Sequence, residues 1–144
     1  MEIHEEKIKQ LEEMGEKLRQ DLIEMFLKAG SGHTAGPLGM ADIFTAFYFH
    51  ILNHNPENPN WEDRDRLVLS NGHICPVQYV TMALAGYFPT DELKTLRKIN
   101  SRLQGQIIFT VPETFKGNPH RLYRTLNKSR FFFFLNFSGI LVRV

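Results

Sequence analysis

The chain has 144 residues, 42% of them hydrophobic and 23% charged, enough for one folded domain or a piece of a larger one and unlike a disordered protein. Its formal net charge of +1 gives no overall pull toward nucleic acid or an anionic membrane. The charge is nevertheless uneven: up to Gln106 there are 11 Lys and Arg against 15 Asp and Glu, and after it 6 against 1. Cys75 is the single cysteine, which excludes an internal disulfide and fits a reducing compartment. The N-terminal stretch is charged throughout and lacks the apolar core of a secretory signal, so the cytoplasm is expected. The apolar run at 131–142 is 12 residues long and contains Asn, Ser and Gly, too short for a membrane span of about 20 residues.

In chain order, Ile8, Leu11, Met14, Leu18, Leu22, Met25 and Phe26 recur three or four apart, which predicts a helix over 5–28. Glu5 and Glu6 suit its positive end, Lys28 its negative end and Gly30 its stop. The stretch GSGHTAGPLGMA, 30–41, holds four glycines and a proline, a loop whose backbone can turn tightly and approach a ligand closely. A helix buried on most sides is expected over 38–52, because its residues are apolar nearly all round. Residues 53–66 read as loop, 67–69 as a short interior strand, and 74–85 as a helix that tolerates Pro76 in its first turn. Thr90 is expected to cap a further helix running to about 99. Beyond Gln106 no period is sustained, and strands are expected at 107–111 and 131–135.

Several side chains are candidates for chemistry. His73 sits where a strand, a tight turn and a helix start meet, a corner at which free amide hydrogens and the helix dipole favour an anion. It can add a hydrogen bond to a phosphate oxygen; alternatively Ser70 or Asn71 caps the helix and His73 is merely exposed. His33 lies in the glycine-rich loop, which either surrounds a ligand or needs its glycines for steric reasons alone. His50 and His54 are four apart and could share a helix face as metal ligands, but no third ligand is evident, so no residue is assigned to a metal. Cys75 reads as a buried, inert thiol. The four consecutive phenylalanines of the basic tail fit a buried strand better than a base-stacking platform, so no nucleic-acid partner is expected.

Four motifs stand in order: SGH at 31–33, the Asn-Pro loop running to Trp61, RDRLVLSNGH at 64–73 and SRLQG at 101–105. With these, residues 21–105 resemble the start of the thiamine-diphosphate domain of transketolases, particularly the split type with a separate N-terminal subunit. The resemblance implies an α/β fold, a parallel sheet flanked by helices, mostly helical in the portion present here, with the cofactor at the sheet's C-terminal edge. It implies that His73 contacts the cofactor diphosphate and that His33 is the catalytic residue facing the substrate. It implies transfer of a two-carbon ketol unit between sugar phosphates, as in the pentose phosphate pathway, with thiamine diphosphate and Mg²⁺ as cofactors. The implied assembly is a homodimer or a pairing with a complementary C-terminal subunit.

The sequence departs from that pattern after Gly105. Gln106 replaces the family's next histidine, and the Gly-Asp-Gly and Asn ligands for Mg²⁺ have no counterpart in 107–144. The expected organisation is therefore a partial thiamine-diphosphate-binding domain at 1–106 and a basic, Phe-rich tail at 107–144, from a truncated or frame-shifted gene, with the chain inactive alone. Two rival readings are a fragment of a deoxyxylulose-phosphate synthase-like enzyme and a non-catalytic helical interaction module.

Overall fold

The computed structural model describes residues 4–69, 71–105, 132–135 and 140–143 of the chain. The first helix, α1 (Glu5–Ala29), carries the predicted apolar face, and its C-terminal half is deeply covered: Leu18, Leu22, Met25 and Phe26 are all buried. Its start is less covered, with Ile8 45% exposed. Gly30 ends the helix in the left-handed region, φ 66°, and its N–H bonds the Phe26 carbonyl at 2.9 Å, the stop that glycine supplies without a Cβ penalty.

The helix expected over 38–52 is instead three pieces. A short helix α2 (Ala35–Gly39) ends at Met40, α3 (Ala41–Ala46) follows, and a π-helical turn (Phe47–Ile51) completes the segment. Met40 is the joint, at φ −98° and ψ 0°, and its N–H falls back on carbonyls of α2, so one continuous cylinder does not form. Phe44 and Ala41 are fully buried, whereas Ile43 and Ile51 face solvent at 39% and 44% exposure. An all-round apolar sequence therefore marks two different faces rather than one enclosed helix.

Strand β1 (Arg66–Leu69) leads through a 3-10 turn (Gly72–Ile74) into α4 (Cys75–Leu84). Helix α4 is the centre of the molecule. Every residue from Cys75 to Ala83 is buried, and α1, α2, α3 and the turn at Thr90–Thr95 all pack on it. Its buried Thr81 hydroxyl is satisfied by donating to the Val77 carbonyl at 2.6 Å. Each enclosed aliphatic side chain is worth about 1.5–3 kcal/mol relative to exposure, so the shared core of Leu18, Leu22, Phe44, Val77, Val80 and Leu96 holds these elements in fixed relation.

The helix expected at 90–99 is a 3-10 turn over Thr90–Thr95, with Pro89 rather than Thr90 at its cap. Continuation is blocked because Arg97 and Asn100 take positive φ, 60° and 67°. The chain then folds back so that Arg97 N–H bonds the Leu103 carbonyl at 2.8 Å. Leu93, Leu96 and Leu103 are buried and tie this segment to the core.

The chain is thus α/β and mostly helical, but its strands do not pair as the resemblance implies. Strand β3 (Ile140–Arg143) lies between β1 and β2 (Phe132–Leu135), antiparallel to both. In the backbone register Leu67 pairs with Val142, and Phe133 pairs with the same residue on the opposite edge of β3. A parallel pair needs a crossover of a dozen or more residues, whereas β2 and β3 are close enough in sequence for a simple reversal. The strand expected at 131–135 is present as β2; the one expected at 107–111 lies outside the described residues.

Candidate functional site

The corner between β1 and α4 is fixed from beneath. Ile74 and Cys75, which follow His73, are buried at 2% and 0% exposure, and Ile74 N–H bonds the Asn71 carbonyl at 3.1 Å. With its successors pulled into the core, His73 is left exposed on the outer side of the 3-10 turn. Asn71 makes no side-chain cap bond, and neither does Ile74 at the start of α4. Of the two residues considered as caps, Asn71 does not act as one; Ser70 lies outside the described residues.

The glycine-rich loop brings His33 to the same corner. Gly32, at φ 151°, lies so close to the Phe26 ring that a Cβ there would meet its Cδ1 and Cε1 at 2.5 Å. Gly36 sits against the 3-10 turn, where a Cβ would meet Ile74 Cγ2 at 2.5 Å. These two contacts clamp the loop at both ends, and the buried Pro37 adds to the second. The result is that the His33 and His73 rings lie with centres 5.1 Å apart at an angle of 53°. Forty residues separate them in sequence, yet both are exposed and share one patch of surface.

A second polar group lies inside the fold. Tyr48, from the π-helical turn, meets His54 and Tyr87 edge-on, and those two rings stack on each other. His54 Nε2 is 2.7 Å from the Tyr48 carbonyl, and because a carbonyl can only accept, Nε2 carries the proton. Nδ1 therefore accepts from the Tyr87 hydroxyl at 2.9 Å. Both His54 nitrogens are occupied, so the His50/His54 metal pair does not assemble. Burial pushes the Tyr48 and Tyr87 hydroxyls above their ordinary values and pulls the Arg64 guanidinium below its own. Arg64 spends its donors on the Pro59 and Asp65 carbonyls at 2.6 and 3.2 Å. The cavity among these groups measures only about 20 Å³, room for little more than one water. This cluster shapes the loop at 53–66, and sequence reading missed it; the spacing of Tyr48, His54 and Tyr87 follows no local period.

Two further candidates resolve as structural. Cys75 Sγ and the Tyr79 hydroxyl both reach the Gln104 carbonyl, at 3.4 and 3.1 Å, so the buried thiol helps seat the SRLQG segment beside α4. A cleft of about 170 Å³ between α1 and the Thr90–Thr95 turn holds Asp21, Glu24 and Asp91 alongside Lys17 and Lys94. Its charges pair with one another, Lys17 with Asp21 and Lys94 with Asp91, and neither rim histidine lines it.

A strand, a turn bearing an outward imidazole and a buried helix define an α/β protein with two exposed histidines side by side at one corner. Comparison with known proteins gives that class a family. The model for the transketolase, thiamine diphosphate binding domain matches residues 10–116, and the chain belongs to that family. It is 44% identical over 103 residues to a transketolase of Buchnera aphidicola, covering 71% of this chain and 15% of that one. It is 40% identical over 93 residues to the 6-deoxy-6-sulfo-D-fructose transketolase subunit SqwG of a Clostridium species, covering 65% of this chain and 34% of that one. Among solved structures, transketolase from Leishmania mexicana superimposes with a TM-score of 0.64 at 36% identity, over 67% of this chain and 14% of that one. The chain therefore spans about a seventh of the full-length relatives named here and a third of the subunit-sized one. No described helix is long and apolar enough to cross a membrane.

Proposed function

We propose that this chain contributes the histidine rim of a cytoplasmic transferase that moves a two-carbon ketol unit between sugar phosphates with thiamine diphosphate. The observation that carries the reading is the His33–His73 juxtaposition, 5.1 Å between ring centres, at the start of a helix with no side-chain cap. The family match to a thiamine diphosphate binding domain supports it, as do the names of the relatives.

The donor set at this corner fits a diphosphate. Imidazole N–H groups are hydrogen-bond donors suited to phosphate oxygens. The corner does not fit a hard cation, which takes oxygen ligands: among the described residues no group of three or more His, Cys, Asp or Glu could hold a metal ion. No step is assigned to Mg²⁺ here. When bound, thiamine diphosphate supplies the electron sink that lets a carbon–carbon bond beside a carbonyl break. His73 orients the diphosphate, and His33 exchanges protons with the sugar hydroxyls, a task for which imidazole is suited near neutral pH. Acidic ligands and the rest of the cofactor's enclosure come from a complementary chain or a second copy, in keeping with the subunit status of the Clostridium relative.

Titration calorimetry tests the assignment. Thiamine diphosphate should bind the purified chain saturably, and His73→Ala should weaken binding at least about tenfold, or about 1.4 kcal/mol. His33→Ala should leave that affinity within a factor of about three while removing activity once a complementary chain is added. Equal affinity in wild type and His73→Ala contradicts the proposal.

A further inference from the structure

Helix α4 is buried from Cys75 to Ala83, so any polar side chain on it must find its partners inside the fold. Gln78, 3% exposed, carries a primary amide there. The Tyr48 hydroxyl lies against that amide, yet the amide oxygen, Oε1, is enclosed and accepts a hydrogen bond from no described residue. A buried acceptor without a donor is costly, because water satisfies it fully in the unfolded chain.

The surroundings specify the donor that suits it. Gln78 borders the cavity of about 20 Å³ together with Tyr48, His54, Arg64 and Tyr87. Arg64, 7% exposed, reaches the Pro59 and Asp65 carbonyls through Nε and Nη1, which leaves the Nη2 hydrogens to donate elsewhere. The Tyr87 hydroxyl gives its single proton to His54 Nδ1, so its oxygen is left to accept. A group that fits must therefore donate twice, to Gln78 Oε1 and to the Tyr87 oxygen, and accept once, from a guanidinium. A cation is disfavoured beside Arg64, and an anion would face two lone-pair oxygens. Water has the required hydrogens and lone pairs. A cavity of this size holds one such molecule, since about 10–15 Å³ and two to four polar partners suffice.

We propose that this cavity is the binding site of one structural water molecule, which bridges Gln78 on α4 to Arg64 and Tyr87. Asp65 N–H bonds the Asn53 carbonyl at 2.9 Å, and Asn53 N–H bonds Asp65 Oδ2 at 2.7 Å; these contacts close the loop at 53–66 on itself. The bridging water fastens the closed loop to the central helix. Neither rim histidine lines the cavity, so the site stands whether or not thiamine diphosphate binds.

A high-resolution crystal structure of the full chain tests the site. One ordered water is expected about 2.7–3.2 Å from Gln78 Oε1, Arg64 Nη2 and the Tyr87 oxygen. Gln78→Met, close in volume but without the carbonyl, should lose that water, and amide hydrogen exchange at Asp65 should quicken at least about tenfold. A wild-type structure in which Oε1 is bonded directly to a protein donor, or touches no ordered water, overturns the site, and that result needs no variant to fold. Persistence of the water in Gln78→Met, or Asp65 exchange no faster than in the wild type, overturns the bridge as well.

Discussion

A single missing methyl group at Gly36 decides where His33 goes. Ile74 is β-branched, stiff at χ1 and 2% exposed, so its Cγ2 cannot retreat from a Cβ placed 2.5 Å away. Gly36→Ala should therefore push α2 off the 3-10 turn, destabilise the chain by about 1–3 kcal/mol and separate the two rim imidazoles. Urea unfolding measures the first effect, and the affinity of the rim for pyrophosphate the second. His33 and His73 were each legible as candidates from their motifs, but the loop's glycines were open to two readings. Gly32 and Gly36 take the steric one, facing Phe26 and Ile74, and in doing so carry His33 to the corner. No spacing rule links positions 33 and 73, because the contact that joins them runs through a buried isoleucine side chain.

At the scale of elements, regular periodicity was the dependable signal. Helix α1 follows its 3–4 spacing to within one residue of the expected end, with Gly30 capping as its chemistry dictates. Strand β1 and helix α4 likewise appear within a residue or so of expectation. Periodicity failed where local geometry intervened: at Met40, which divides one apolar segment, and at Arg97 and Asn100, whose left-handed backbones stop a helix that the sequence would allow. The π-helical turn after α3 matters for stability because it places Tyr48 beside Gln78 and His54. Burial raises the Tyr48 and Tyr87 hydroxyls above the ordinary 10.0, while in the unfolded chain both ionise near that value. The stability tied to these groups is whole below about pH 10 and is lost as pH rises from there through their higher folded-state values. Tyr48→Phe should cost about 1 kcal/mol at neutral pH, through the lost hydroxyl contact. It should also flatten the decline in urea midpoint between about pH 9 and pH 11. An alkaline limb as steep as the wild type's would show that Tyr48 is not the responsible group.

Across the whole molecule, one core joins α1, α3, α4, β1 and the SRLQG segment. Leu103 is 2% exposed in that core although it lies in an irregular segment. Leu103→Ala should accordingly lower the single unfolding midpoint by the equivalent of about 2–5 kcal/mol with an unchanged denaturant slope. A separate, earlier transition would mean instead that residues 90–105 unfold independently. By itself the sequence determined the helix faces, the motif order that places the chain in the transketolase family, and the two histidines worth watching. Those features are local, written in side-chain period and turn chemistry. Only the tertiary structure decided that the histidines meet, that His54 is sealed between two tyrosines, and that β1 takes an antiparallel neighbour. Each depends on contacts between residues far apart in the chain, which no pattern within one segment records.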